Sequence, residues 1–172
     1  MTRLNDSFGM SGTLKIFITP KGSSESFLFF SGTNRITNNA REHILRLTVE
    51  NPSTVATNPI TSFKVGNGGV GQTPNGTETD LFASIDPTGN YLNTVSYALI
   101  DGNLVAEYSF ELTADEANGF NISEVGLFAS NPWMGDSLKG MMFNIKTFPE
   151  LVKTAAFSVT FVWRINYSGV AV

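Results

Sequence analysis

Residues Phe157 to Tyr167 read Phe-Ser-Val-Thr-Phe-Val-Trp-Arg-Ile-Asn-Tyr, with a large apolar side chain at every second position. A period of two gathers those side chains on one face of a strand, whereas helical geometry would scatter them around an axis. Such a face needs a second apolar layer to cover it, so this strand must be central to a core.

The same period recurs along the chain. Leu14, Ile16 and Ile18 share one face, and Pro20-Lys-Gly-Ser-Ser24 supplies a turn before the apolar run Phe27–Phe30, which reads as a hairpin. A second hairpin is centred on Asp101-Gly102, a dipeptide suited to a two-residue turn. That loop pairs Leu99 with Leu104, Tyr97 with Ala106 and Val95 with Tyr108, and sets the large apolar side chains on one face. Ile60–Val65, Ile122–Ala129 and Met141–Thr147 complete the strands.

One stretch changes period. Ala40, Ile44 and Leu47 follow helical spacing over about residues 38–50, with Asn38 or Asn39 as N-cap and Asn51-Pro52 as the stop. Thr113-Ala-Asp-Glu116 has the spacing of a capping box, closed after a single helical turn by Gly119. The expected fold is therefore mainly β: a single-domain antiparallel β-sandwich over 13–167, with one inserted α-helix and a short helical turn. Residues 1–12 lack a period and read as an extended N-terminal arm, and 168–172 read as a C-terminal tail.

Composition narrows the function. At 172 residues the chain matches one domain of about 100–200 residues. Its charged fraction of 15% lies below the usual ~25%, so Ser, Thr, Asn and Gly must cover much of the surface. The absence of cysteine removes disulfides and thiolate chemistry, and a lone His43 removes most zinc sites. Residues 51–172 carry five Lys/Arg against eleven Asp/Glu, which disfavours a nucleic-acid partner because phosphate binding needs clustered cations. The N-terminal residues lack the apolar core of a signal peptide, and no run approaches the ~18 apolar residues of a membrane span. A soluble chain made in the cytosol, without a membrane partner, is the expectation.

No catalytic, cofactor-binding or metal-binding set emerges. Gly66-x-Gly68-x-x-Gly71 with Asp86 has dinucleotide-fingerprint spacing, but Pro74, Asn75 and Gly76 stand where the phosphate-binding helix must begin. His43 has no spacing that joins it to a serine and a carboxylate, and reads as a partly exposed helical residue. Asp115 and Glu116 are accounted for by capping, and Asp80, Asp86 and Asp101 are too scattered for a calcium loop. Trp133 and Met134, in the loop Ser130–Asp136, are candidates either for a contact anchor or for a cap over the sandwich end.

Four segments taken in order carry a resemblance: Phe63-Lys-Val-Gly-Asn-Gly-Gly with Thr79-Asp-Leu81, then Ala117 to Phe128 ending Glu124-Val-Gly-Leu-Phe, then Phe148-Pro-Glu-Leu-Val-Lys153-Thr154, then the last alternating strand. This order resembles the N-terminal, particle-attaching domain of bacteriophage tail-collar fibre proteins, over about Ile60 to Tyr167. The family's turn carries Asp where this chain has Asn67. The resemblance marks Gly66, Gly68, Glu124, Gly126, Leu127, Phe128, Pro149 and Lys153 as motif residues, structural or at an interface. In physical terms Gly126 leaves room for a crossing group, Glu124 can hold a turn through backbone N–H groups, and Lys153 is a candidate partner for Glu124.

The resemblance implies a non-enzymatic virion structural protein without a cofactor, at the tail, collar or baseplate. It would be an adaptor or fibre-attachment component that assembles as a homo-oligomer with other virion proteins. Because the chain stops at Val172, the attachment module alone is expected. A capsid decoration protein is the alternative, and a carbohydrate-binding module using Trp133 or Tyr91 is a third.

Overall fold

A computed structural model describes residues 6–49, 60–85, 93–94, 96–100, 105–129 and 140–171. The elements are β1 (Asp6–Pro20), β2 (Phe27–Thr33), β3 (Arg35–Ile36), α1 (Asn38–Val49), β4 (Ile60–Gly66), β5 (Asn93–Thr94), β6 (Ser96–Ile100), β7 (Val105–Leu112), β8 (Asn121–Ala129), β9 (Met141–Val152) and β10 (Phe157–Ala171). They form two five-stranded antiparallel sheets, ordered β2-β1-β10-β7-β6 and β3-β9-β8-β4-β5. The two sheets bury one apolar cluster between them, so the architecture is the expected sandwich.

The alternating strand β10 lies at the middle of the first sheet, between β1 and β7. Its Val159, Phe161, Trp163 and Ile165 are fully buried, as are Leu14 and Ile16 beside them on β1. Aromatic rings lock the two layers together: Phe110 of β7 stacks on Phe63 of β4 and on Phe161, and Phe148 of β9 meets Phe161 edge-on.

Several boundaries differ from the sequence reading. Asp6–Gly12, expected as part of an arm, is the first half of β1, and Ser168–Ala171, expected as a tail, ends β10; the two extensions pair from Asp6↔Ala171 to Gly12↔Ile165. They show no apolar period because a long antiparallel ladder satisfies their backbone groups directly. β9 runs on from Thr147 to Val152 and includes Pro149, where a turn was expected. A proline is tolerated there because β3 pairs with β9 only at Asn144 and Ile145, leaving that side of the strand open.

The second hairpin pairs Tyr97 with Tyr108 and Leu99 with Ala106, two residues away from the expected register. A shift of two preserves every side chain's face, so the pattern of alternation is obeyed while the loop grows longer. Asp101–Leu104 and Val95 lie outside the described residues, as does the Asn51-Pro52 stop. Residues 114–119 make successive turns rather than a helical turn. Glu116 does reach back to the Thr113 N–H at 2.7 Å, but Ala117 and Gly119 adopt positive φ (52° and 84°), which prevents a helix from continuing.

Helix α1 packs against β9, with Ala40 buried in the inter-sheet cluster and Ile44 packed against it. Its cap is Thr37, not Asn38 or Asn39: the buried hydroxyl accepts the Ala40 N–H at 3.2 Å and donates to the Met142 carbonyl at 2.6 Å. One side chain therefore both starts the helix and ties it to the sheet. His43 is 4% exposed, where a partly exposed position was expected, and burial lowers its pKa from 6.5.

Thr37→Ala should cost about 1–2 kcal/mol in urea denaturation, with Thr37→Ser recovering most of the loss. His43 has a folded pKa below its unfolded one, so the unfolded state binds its proton first as pH falls below 6.5 and stability drops. Urea midpoints measured between about pH 5 and pH 7.5 should fall on acidification more steeply in the wild type than in His43→Gln.

Candidate functional site

Five of the motif residues of the resemblance, Gly66, Gly68, Glu124, Gly126 and Phe128, gather on the outer face of the second sheet around Glu124 of β8. Strand β4 ends at Gly66 and leads into a glycine-rich turn, and residues 80–85 return beside it. Glu124 joins the two. Its Oε1 accepts the N–H of Gly68 at 3.0 Å and of Ala83 at 2.8 Å, and its Oε2 accepts the N–H of Phe82 at 2.8 Å. Ser123 beside it accepts the Gly69 N–H at 3.0 Å. Backbone bonds from Asn67 N–H to the Ala83 carbonyl, and from Ile85 N–H to the Val65 carbonyl, complete the latch.

Glu124 is fully buried. Desolvation pushes its carboxyl above the ordinary carboxylate range and Asp80 adds to that push, while the N–H groups of Ala83, Phe82 and Gly68 act in the opposite direction. Both oxygens are occupied as acceptors, so the group is spent on holding the turn.

The glycines are required by close approach. A Cβ on Gly66 would collide with the Ala83 carbonyl oxygen and the Glu124 carboxylate. At Gly126, the next residue on the same face of β8, a Cβ would meet the Asn144 carbonyl oxygen at 3.1 Å and Leu81 at 3.2 Å. Leu81 closes over Phe128, Met142 and Ile145 as a second, smaller apolar cluster. Lys64 anchors the same segment, with Nζ 3.1 Å from the Asp80 carboxylate and 4.6 Å from the centroid of the Phe128 ring. Asp80 also accepts the Leu81 N–H at 2.9 Å.

Gly66, Gly68, Glu124, Gly126 and Phe128 therefore belong to one unit, and Leu127 points from the same strand into the inter-sheet core. Lys153 does not belong to it, which corrects the expected pairing with Glu124. Its buried Nζ bonds to the Thr154 carbonyl at 3.0 Å and Asn118 Oδ1 at 3.2 Å, reaches the Ala114 carbonyl at 3.5 Å, and lies over the Phe157 ring. It holds the 114–119 turns against the start of β10, and burial pushes its pKa down. Pro149 lies apart from both, on the rim of an open groove beside Phe30, Val70, Lys146 and Phe148. Trp133, Met134, Tyr91, Asp86 and Asp101 lie outside the described residues.

Sequence reasoning missed the Lys64–Asp80 pair and the N–H groups of Phe82 and Ala83. The first was within reach, because Lys64 and Asp80 both sit in the quoted segments; the second was not, because backbone donors leave no trace in residue identity. Chemically the unit is a scaffold: every carboxylate and ammonium in it is directed at a partner inside the chain. Among the described residues no group of three or more His, Cys, Asp or Glu side chains is placed to hold a metal ion.

Comparisons with family models, with curated proteins and with solved structures found no match.

Glu124→Ala leaves three buried N–H groups without an acceptor and should cost about 3–6 kcal/mol in chemical denaturation. Glu124→Gln keeps one acceptor oxygen but turns an NH₂ toward the donors, so its loss should be comparable. By contrast, Glu124→Ala should lower the urea midpoint without weakening the inter-sheet core, leaving the near-ultraviolet signal of Trp163 native-like in the folded baseline.

Proposed function

We propose that the chain is a non-enzymatic phage virion structural protein that acts through protein–protein contacts, as an adaptor or attachment component at the tail, collar or baseplate. The reading rests on the resemblance of the four segments to the attachment domain of tail-collar fibre proteins. One observation supports it above the others: five of the eight residues marked by the resemblance, Gly66, Gly68, Glu124, Gly126 and Phe128, meet in a single latch around Glu124. Gly66 and Phe128 stand far apart in the sequence, yet both belong to this one unit on the outer face of the second sheet.

The chemistry of the latch suits a scaffold. Its charged groups are consumed internally, and large apolar side chains are exposed elsewhere, on β2 (Phe27, Leu28) and β6 (Tyr97, Leu99). Exposed apolar side chains on sheet edges suit a protein that packs against neighbours.

Labelling of purified particles tests the proposal. Antibody-coupled gold should be found at the tail or neck; gold over the capsid shell would replace this reading with a decoration role, and particles free of label would remove both.

A further inference from the structure

The two sheets end differently. Among the described residues the second sheet is bounded by the two-residue strands β3 and β5, which offer little backbone to a partner. The first sheet is bounded by β2 and β6, of seven and five residues, and neither contains a charged residue or a proline. Those are the devices that normally keep an edge from pairing with another chain. β2 carries a different one, a register shift against β1 that leaves Phe29 without an opposite residue. The pairing of β6 with β7 has no such irregularity.

β6 also displays an unusual pair. Tyr97 and Leu99 lie opposite Tyr108 and Ala106, so they occupy the core-facing side of the first sheet. They are nonetheless 70% and 56% exposed. Between them, Ala98 points to the outer face and is exposed as well.

We infer that β6 is a self-association edge: it pairs antiparallel with β6 of a second copy about a twofold axis through Ala98, joining the two first sheets into one ten-stranded sheet. The direction of the strands selects this arrangement. Every neighbouring pair in the first sheet is antiparallel, so β2 and β6, at the two ends of an odd number of strands, run the same way. With core-facing sides kept together, joining β6 to β2 of another copy would be a parallel pairing, the less stable kind. Joining β6 to itself is antiparallel and leaves both second sheets on the same side.

The sequence of the strand is compatible with its own reversal. A twofold at Ala98 sets Tyr97 against Leu99 of the second copy and Leu99 against its Tyr97, so four exposed apolar side chains cover one another in the cleft between the two sandwiches. Ser96 faces Ile100, and no charge meets its like. A second copy is thus the occupant that this edge fits. The pairing stands on the edge geometry alone and holds wherever the protein sits in a particle. At five residues a side it is a small interface, expected to exchange at about micromolar concentration.

The wild type contains no cysteine, which makes a cross-linking test clean. Across an antiparallel pair, opposed Cβ atoms lie about 4.5–5.5 Å apart, within slight adjustment of disulfide geometry. Oxidised Ala98→Cys should run as a covalent dimer on a non-reducing gel, while Ser31→Cys, on β2, should stay single. In sedimentation, Leu99→Lys should raise the dimer dissociation constant about tenfold or more relative to wild type, since an edge lysine blocks strand addition. Cross-linking of Ser31→Cys but not Ala98→Cys would overturn the proposal in favour of β2. Cross-linking of Ala98→Cys only when mixed with Ser31→Cys would overturn it in favour of head-to-tail pairing. A wild type that sediments as a single chain at every concentration, with neither variant cross-linked, would remove self-association through a sheet edge and leave the reading of particle location to the labelling result.

Discussion

A single buried carboxylate organises one whole side of this protein. Glu124 accepts three backbone N–H groups from two separate segments, the glycine-rich turn after β4 and residues 82–83, which the Asn67 N–H to Ala83 carbonyl bond also joins. Burial makes the charge costly, and only a full set of donors offsets that cost. The consequences reach outward from it. Gly66 must lack a Cβ so that Ala83 can approach, Gly126 must lack one so that Leu81 can cover the sheet, and Lys64 and Asp80 hold the returning segment over Phe128.

How much of this was legible in the sequence depends on which force sets each feature. Side-chain burial with a period of two leaves a strong trace, so β10, β8 and the β1–β2 hairpin could be read directly, and the sandwich followed. Backbone-driven features leave almost none. Asp6–Gly12 pairs along its whole length with β10 while showing no alternation, because a ladder needs only backbone groups. The hairpin register missed by two for a related reason: alternation fixes the face and cannot count turns, so the loop length had to come from Asp101-Gly102 alone.

Polar chemistry was legible in half-measure. Glu124 could be expected to hold a turn, since a carboxylate inside an apolar strand needs donors. Which donors, and that Lys153 would instead tie the Thr154, Asn118 and Ala114 oxygens together, depends on how distant segments are brought side by side. Thr37 shows the same limit. Asn38 and Asn39 are equally good caps by residue type, and Thr37 takes the role because its hydroxyl also reaches the Met142 carbonyl across the helix–sheet contact.

The two sheets have different work. The second sheet faces the core on one side and carries the latch and Leu81 on the other, and among the described residues it is bounded by two-residue strands. The first sheet keeps an outer face with exposed Lys15, Glu111 and Arg164, where the Arg164–Glu107 pair at 2.7 Å contributes little in contact with water. Its long edges are uncharged. A chain with a charged fraction of only 15% cannot guard every edge with lysine. Here Lys64, Asp80 and Glu124 are drawn into the latch of the second sheet, and the two edge strands of the first sheet carry no charge. Backbone and apolar side chains are available together, among the described residues, at the two edges of the first sheet, with β6 the one that no bulge protects.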